Sequence, residues 1–183
     1  MRTLIILLCL LVSLPTWAAR ELEWDDLVPA DYDANVVYEQ LFSKIYGDKP
    51  PEDVDDGDAR GEQMMDAIDK AWREAPLKAE LDNTVVRLPG YGVPLDGDEE
   101  YVREFLLVPY FGACIHTPPP PRNQIILVKM KGQGVPLDLV FEALWLEGTL
   151  KVSSQDTEYG TAGYVLEGES AELFTGYSTV PLP

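Results

Sequence analysis

The sequence predicts an α+β protein: a short N-terminal helical region followed by a small antiparallel β-barrel. Three observations predict it. Apolar residues recur near helical spacing between residues 32 and 75, and Pro76 ends that pattern. Beyond Pro76 come five short runs rich in Val, Leu, Ile, Phe and Tyr, each bounded by Gly, Pro or Asp. The chain has 183 residues, long enough for one domain with a real core.

The first residues read as an export signal. Arg2 supplies a positive start, and Leu4 to Leu14 is nearly continuous apolar sequence. Pro15 breaks that run, and Thr16-Trp17-Ala18 offers small residues for cleavage after Ala18. A membrane-spanning helix needs about 20 apolar residues, so this run is too short for a good anchor. No later segment is longer and as apolar. The expectation is a signal peptide over residues 1–18 and delivery to the periplasm. Cys9 leaves with the signal, so Cys114 becomes the lone cysteine and an intramolecular disulfide is excluded.

Lys and Arg number 14 against 32 Asp and Glu, a net charge of −18. Such a balance argues against nucleic acid, whose affinity depends on cationic side chains neutralising phosphates. It argues equally against anionic membrane surfaces. It favours solubility and raises the local concentration of cations.

Within residues 19–31, Leu22, Trp24, Leu27 and Val28 are expected to pack onto the domain, with Pro29 stopping any helix. From Tyr32 to Tyr46, Val36, Val37, Leu41 and Ile45 mark a helix, with Asp33 as N-cap and Gly47 as terminator. Residues 49–58 form an acidic loop whose carboxylates miss the spacing of a twelve-residue calcium loop. A second helix runs from Arg60 to Ala75, with Met65, Ile68 and Trp72 on its buried stripe.

Asp82-Asn83 is a turn. The runs TVVRLPGYGVPL, REFLLVPYF, QIILVKM, ALWLEGTLKVSS and GYVLEGESAELF are the strands. Five strands over this length suit a small, partly open OB-like barrel. Pro89, Pro94, Pro109 and Pro136 are expected at strand ends or edges, where a missing N–H is tolerated. The chain thus divides into the signal at 1–18, a helical region at 19–81 and the barrel at 82–183.

The most unusual stretch is EFLLVPYFGACIHTPPPPRNQ, Glu104 to Gln124, which holds Cys114 and the sole histidine, His116. In an extended segment the two side chains leave the same face. A thiolate and an imidazole there make two legs of a zinc or copper site. Further ligands must come from carboxylates such as Glu104, or from another chain. The same pair supports thiol chemistry, with His116 activating Cys114 and Asn123 orienting the imidazole. The plainer reading is packing. Cys114 is then a small buried thiol, and His116 a hydrogen-bonded loop residue. Pro118, Pro119, Pro120 and Pro121 form a polyproline strut, and Arg122, Asn123 and Gln124 bind backbone carbonyls. Tyr91, Tyr101, Tyr110 and Phe111 are candidates to border the loop as an aromatic-lined groove. There is no G-x-S-x-G elbow, and the glycine-rich pieces lack the context of a phosphate loop.

These same residues carry a resemblance. EFLLVPYFGACIHTPPPPRNQ, preceded by VRLPGYGVPL and followed by LWLEGTL and AGYVLE, resembles the bacterial exported domain-of-unknown-function family 3299. The resemblance runs from about Leu22 to the C-terminus. It implies a periplasmic accessory protein linked to ABC-type transport or zinc homeostasis, with envelope transporter components as partners. The alternative from the residues is a thiol-dependent enzyme built on Cys114.

Overall fold

The structure is a computed structural model that describes residues 18–49, 58–113 and 119–175. Most of the expected signal peptide, the greater part of the acidic loop, and Cys114 to Pro118 lie outside these residues. Among the described residues the fold is mixed α+β, with a seven-stranded sheet and two α-helices.

Helix α1 spans Ala34–Tyr46. Asp33 is its N-cap, accepting the Asn35 N–H at 2.8 Å, and the N–H of Gly47 returns to the Ser43 carbonyl at 2.8 Å. Helix α2 spans Gly61–Arg73. Its buried stripe is Met64, Ile68 and Trp72, whereas Met65 is exposed. The expected stripe therefore shifts by one residue at its first position. Spacings of three and four are both helical, and the partner decides between them. Here Tyr46, at the end of α1, closes a small cluster with Met64, Ile68 and Trp72.

Seven strands follow in chain order: β1 Arg20–Glu21, β2 Thr84–Gly97, β3 Tyr101–Val108, β4 Ile126–Met130, β5 Val135–Pro136, β6 Ala143–Thr157 and β7 Gly160–Leu173. The sheet order is β1-β2-β6-β7-β4-β3-β5, and β2 pairs with β3 as well. Residues 19–81, expected to be helical, also contribute β1. The sheet is not wholly antiparallel, since β1–β2 and β4–β7 run parallel. Strands β4 and β7 are not joined by a hairpin, so no tight turn forces them to oppose.

Strand β2 changes partner along its length. Thr84 to Tyr91 pair with β6, and Tyr91 to Gly97 pair with β3. Pro89 and Pro94 lie inside this 14-residue strand rather than at its ends, as had been expected. Each is tolerated because only one flank of β2 is laddered there. Pro136 sits in the edge strand β5, and Pro109 directly follows β3. At the handover, Gly92 is crowded: a Cβ there would lie 2.6 Å from the Val140 carbonyl oxygen. Only glycine admits that approach.

The core lies between the strands. Val86, Leu88, Phe105, Leu107, Ile126, Val128, Leu144, Leu146, Tyr164 and Leu166 bury together with Leu22 and Leu27. A second cluster takes the other face of β3 and β4, with Leu106, Val108, Leu127, Ile125, Ala113 and Ala162. Both faces of these strands are covered, which explains why residues 105–108 and 126–128 are continuous apolar runs rather than alternating ones.

Tyr164 ties the parts together. Its hydroxyl donates to the Leu27 carbonyl at 2.7 Å and accepts the Lys78 N–H at 2.8 Å. Burial pushes its pKa up, so the hydroxyl stays protonated and able to donate. Tyr164→Phe leaves two buried backbone groups unpaired, and urea unfolding is expected to show a loss of about 1–3 kcal/mol.

The β2–β3 turn is pinned by Asp98. Its carboxylate pairs with Arg103 at 2.7 Å and accepts the N–H groups of Tyr101 and Glu100. The Arg103 hydrogen bond, followed by those backbone donors, holds its pKa at about 2. A depressed carboxylate pKa adds stability above its ordinary value, 3.8, that is lost as pH falls through about 2. An NMR titration is expected to place the Asp98 midpoint near 2, and Asp98→Asn to flatten stability across that window.

Candidate functional site

The segment joining β3 to β4 is built from its ends inward. Pro109 has no N–H, so the β3 ladder stops there. The chain turns at Tyr110 to Ala113, where the Ala113 N–H reaches the Tyr110 carbonyl at 3.3 Å. The Phe111 ring meets Tyr91 edge-on at 6.2 Å and is 66% exposed. On the return side Pro119 is half-buried, while Pro120 and Pro121 are buried. Pro121 has φ −63° and ψ 151°, the polyproline geometry expected of a strut. Residues Arg122–Gln124 then form a single 3-10 turn leading into β4.

That turn is anchored by the carbonyl-binding expected of it. Arg122 Nε donates to the Ala75 carbonyl at 2.6 Å, and its Nη1 reaches Ser154 Oγ at 2.9 Å. Asn123 Nδ2 donates to the Pro76 carbonyl at 3.1 Å. Gly163 in β7 lets the turn approach closely, since a Cβ there would lie 2.5 Å from the Arg122 carbonyl oxygen. The end of α2 thereby becomes fixed to the start of β4.

The expected site residues fall in different places. Cys114, His116 and Pro118 lie outside the described residues. Glu104 lies within β3, in register with Lys129 and ion-paired to it at 3.2 Å. It stands four residues before the strand's loop end, roughly 13 Å along the strand. Tyr91 and Tyr110 pack on the loop-side cluster. Tyr101 does not border the loop: it begins β3 at the opposite end and pairs with Pro136.

Two open cavities flank the short 3-10 helix at Trp24–Leu27. The first, about 500 Å³, lies between the stretch leading into α1 and the end of the loop, with Tyr32, Asp33, Pro121 and Asn123 in its wall. The second, about 420 Å³, is walled by Trp24, Pro89, Tyr110, Trp145 and Phe174. Asp25 and Gln124 belong to both walls. Trp145 and Phe174 pack at 5.2 Å, and the Arg87 guanidinium lies 4.5 Å over the Trp145 ring. Trp24 Nε1 is held by the Pro89 carbonyl at 2.8 Å.

The first cavity contains a polar irregularity. Asn123 is fully buried, and its Nδ2 bond to Pro76 establishes which end of the amide is oxygen. Among the described residues that Oδ1 has no partner, and neither has the Tyr32 hydroxyl. An unmet buried polar atom costs about 1–3 kcal/mol. Burial, and then the neighbouring Asp33 charge, push the Tyr32 pKa up and keep that hydroxyl neutral.

Sequence reading placed the loop but missed most of these walls. Tyr32, Trp24, Trp145 and Phe174 come from four separate segments, and none carries a motif. Arg122→Ala should loosen the whole arrangement by freeing the Ala75 carbonyl. A loss of about 1.5–3 kcal/mol in denaturant unfolding is expected, with faster hydrogen exchange at residues 122–125.

Comparison with known proteins agrees with the resemblance in the sequence. The family model described as "Protein of unknown function (DUF3299)" matches residues 24–173. A crystal structure of a DUF3299 family protein from Pseudomonas aeruginosa PAO1 is similar, with a TM-score of 0.62 and 34% identity. The match covers 88% of this chain and 99% of that one. No curated protein matches. The chain belongs to the DUF3299 family.

Proposed function

We propose that the protein is a non-enzymatic binding protein of the bacterial envelope whose binding surface is the β3–β4 connection. The observation that carries this reading is the architecture of that connection. Its return end is anchored on Ala75, Pro76 and Ser154, and its residues help wall two open cavities. A loop end held by the scaffold beside a cleft supports a binding reading, since functional groups work best when the scaffold positions them in advance.

The scaffold is read as an OB-like barrel. Five strands pair in the circuit β2-β3-β4-β7-β6 and back to β2, with β4 and β7 parallel. The sequence supports export to the periplasm through the signal at residues 1–18. The family resemblance supports an accessory role in ABC-type transport or metal homeostasis. Cys114 and His116 are the residues proposed to hold zinc or copper. With Glu104 engaged by Lys129, further ligands would come from other carboxylates or a partner.

The test is metal loading of the mature protein under anaerobic conditions, followed by elemental analysis. About one equivalent of zinc or copper per chain is expected, and its loss in both Cys114→Ser and His116→Ala. Metal retained by both variants, or none taken up by the parent, would remove the metal reading.

A further inference from the structure

The two cavities share Asp25 and Gln124 in their walls, and the charged side chains of their described lining carry one sign. Glu21, Glu23 and Asp25 line the aromatic cavity, Asp25, Asp31 and Asp33 the other, and among the described residues no Lys or Arg lines either. An acidic rim alone specifies little. The second observation is the fully buried Asn123, whose Oδ1 requires a donor that no described residue supplies, in the same wall as the partnerless Tyr32 hydroxyl. The third is the pair of indoles, Trp24 and Trp145, with Tyr110 and Phe174 in the wall of the adjoining cavity.

We propose that the two cavities form one groove for a linear aliphatic polyamine. An ammonium group has only donors, which is what Asn123 Oδ1 lacks, and the Tyr32 hydroxyl can accept from it as well. An anion can do neither for Asn123, and the rim repels it. Ammonium groups and their methylenes also suit aromatic faces, through cation–π attraction and apolar contact. Arg87, which is not among the lining residues, already lies over one face of Trp145 and is paired with Glu172, so the ring faces left to the ligand are those of Trp24, Tyr110 and Phe174. Among the described residues no three His, Cys, Asp or Glu side chains converge as a metal ion needs. Acids spaced along a groove match ammonium groups spaced along a chain. Asn123 Oδ1 and the Tyr32 hydroxyl are shielded from solvent, so contact with them requires the cavity wall to give slightly.

The inference uses none of the proposed metal ligands, so the two readings can fail separately. Spermidine is titrated calorimetrically into the mature protein at low ionic strength. Saturable one-to-one binding is expected, about tenfold weaker in Asp25→Asn/Asp31→Asn. It should stay within about twofold of the parent in Glu62→Gln, an exposed acid on α2, and in Cys114→Ser/His116→Ala. No saturable binding at millimolar spermidine would overturn the proposal. So would equal weakening by Glu62→Gln, or equal displacement by magnesium and sodium chloride at matched ionic strength, because each marks diffuse attraction to an acidic chain.

Discussion

The structure depends on one strand serving two partners. Tyr91 is opposite Ala143 on one side of β2 and Val108 on the other. Without that handover β3 and β6 would belong to separate layers, and the circuit through β4 and β7 would stay open. The residues that make it possible are ones that normally weaken strands. Pro89, Gly90, Gly92 and Pro94 give up ladder donors or side-chain volume where the strand must bend and admit Val140 and Leu107. A uniformly strong strand former would resist that bend.

The circuit in turn decides where the β3–β4 connection can lie. Strands β3 and β4 have their inner faces in the main core, and their outer faces are also buried. The described ends of the connection, Ala113 and Ile125, belong to this outer cluster, and its far end is stitched to the link between α2 and β2. Arg122 and Asn123 supply the donors that the carbonyls of Ala75 and Pro76 would otherwise lack. Tyr164 works one layer deeper, donating to the Leu27 carbonyl and accepting the Lys78 N–H. Chain segments distant in sequence are thus joined by side chains hydrogen-bonded to backbone groups.

Much of this was legible from residue order alone. Asp33 and Gly47 bound α1 where expected, and each of the five apolar runs became a strand, because caps and local periodicity are short-range effects. Partner choice was not legible. Parallel pairing of β4 with β7, the brief β1 and the preference for Met64 over Met65 all depend on surfaces that exist only once the chain is folded. The cavities were harder still. Trp24, Tyr32, Asn123 and Trp145 have no common spacing, so their convergence is a property of the topology. The stretch around Cys114 and His116 stood out because composition concentrates there, which is a different signal from geometry.

The double burial of β3 and β4 has a cost before folding. Residues 105–108 and 126–128 are short, uncharged and β-prone, the kind of segment that seeds cross-strand aggregation while a chain is still open. The prolines at 109 and 118–121 stand between the two segments, where they cannot extend a β ladder, and the heavy negative charge keeps separate chains apart. The prolines can therefore act as gatekeepers in the unfolded chain, while Pro121 holds polyproline geometry in the folded one.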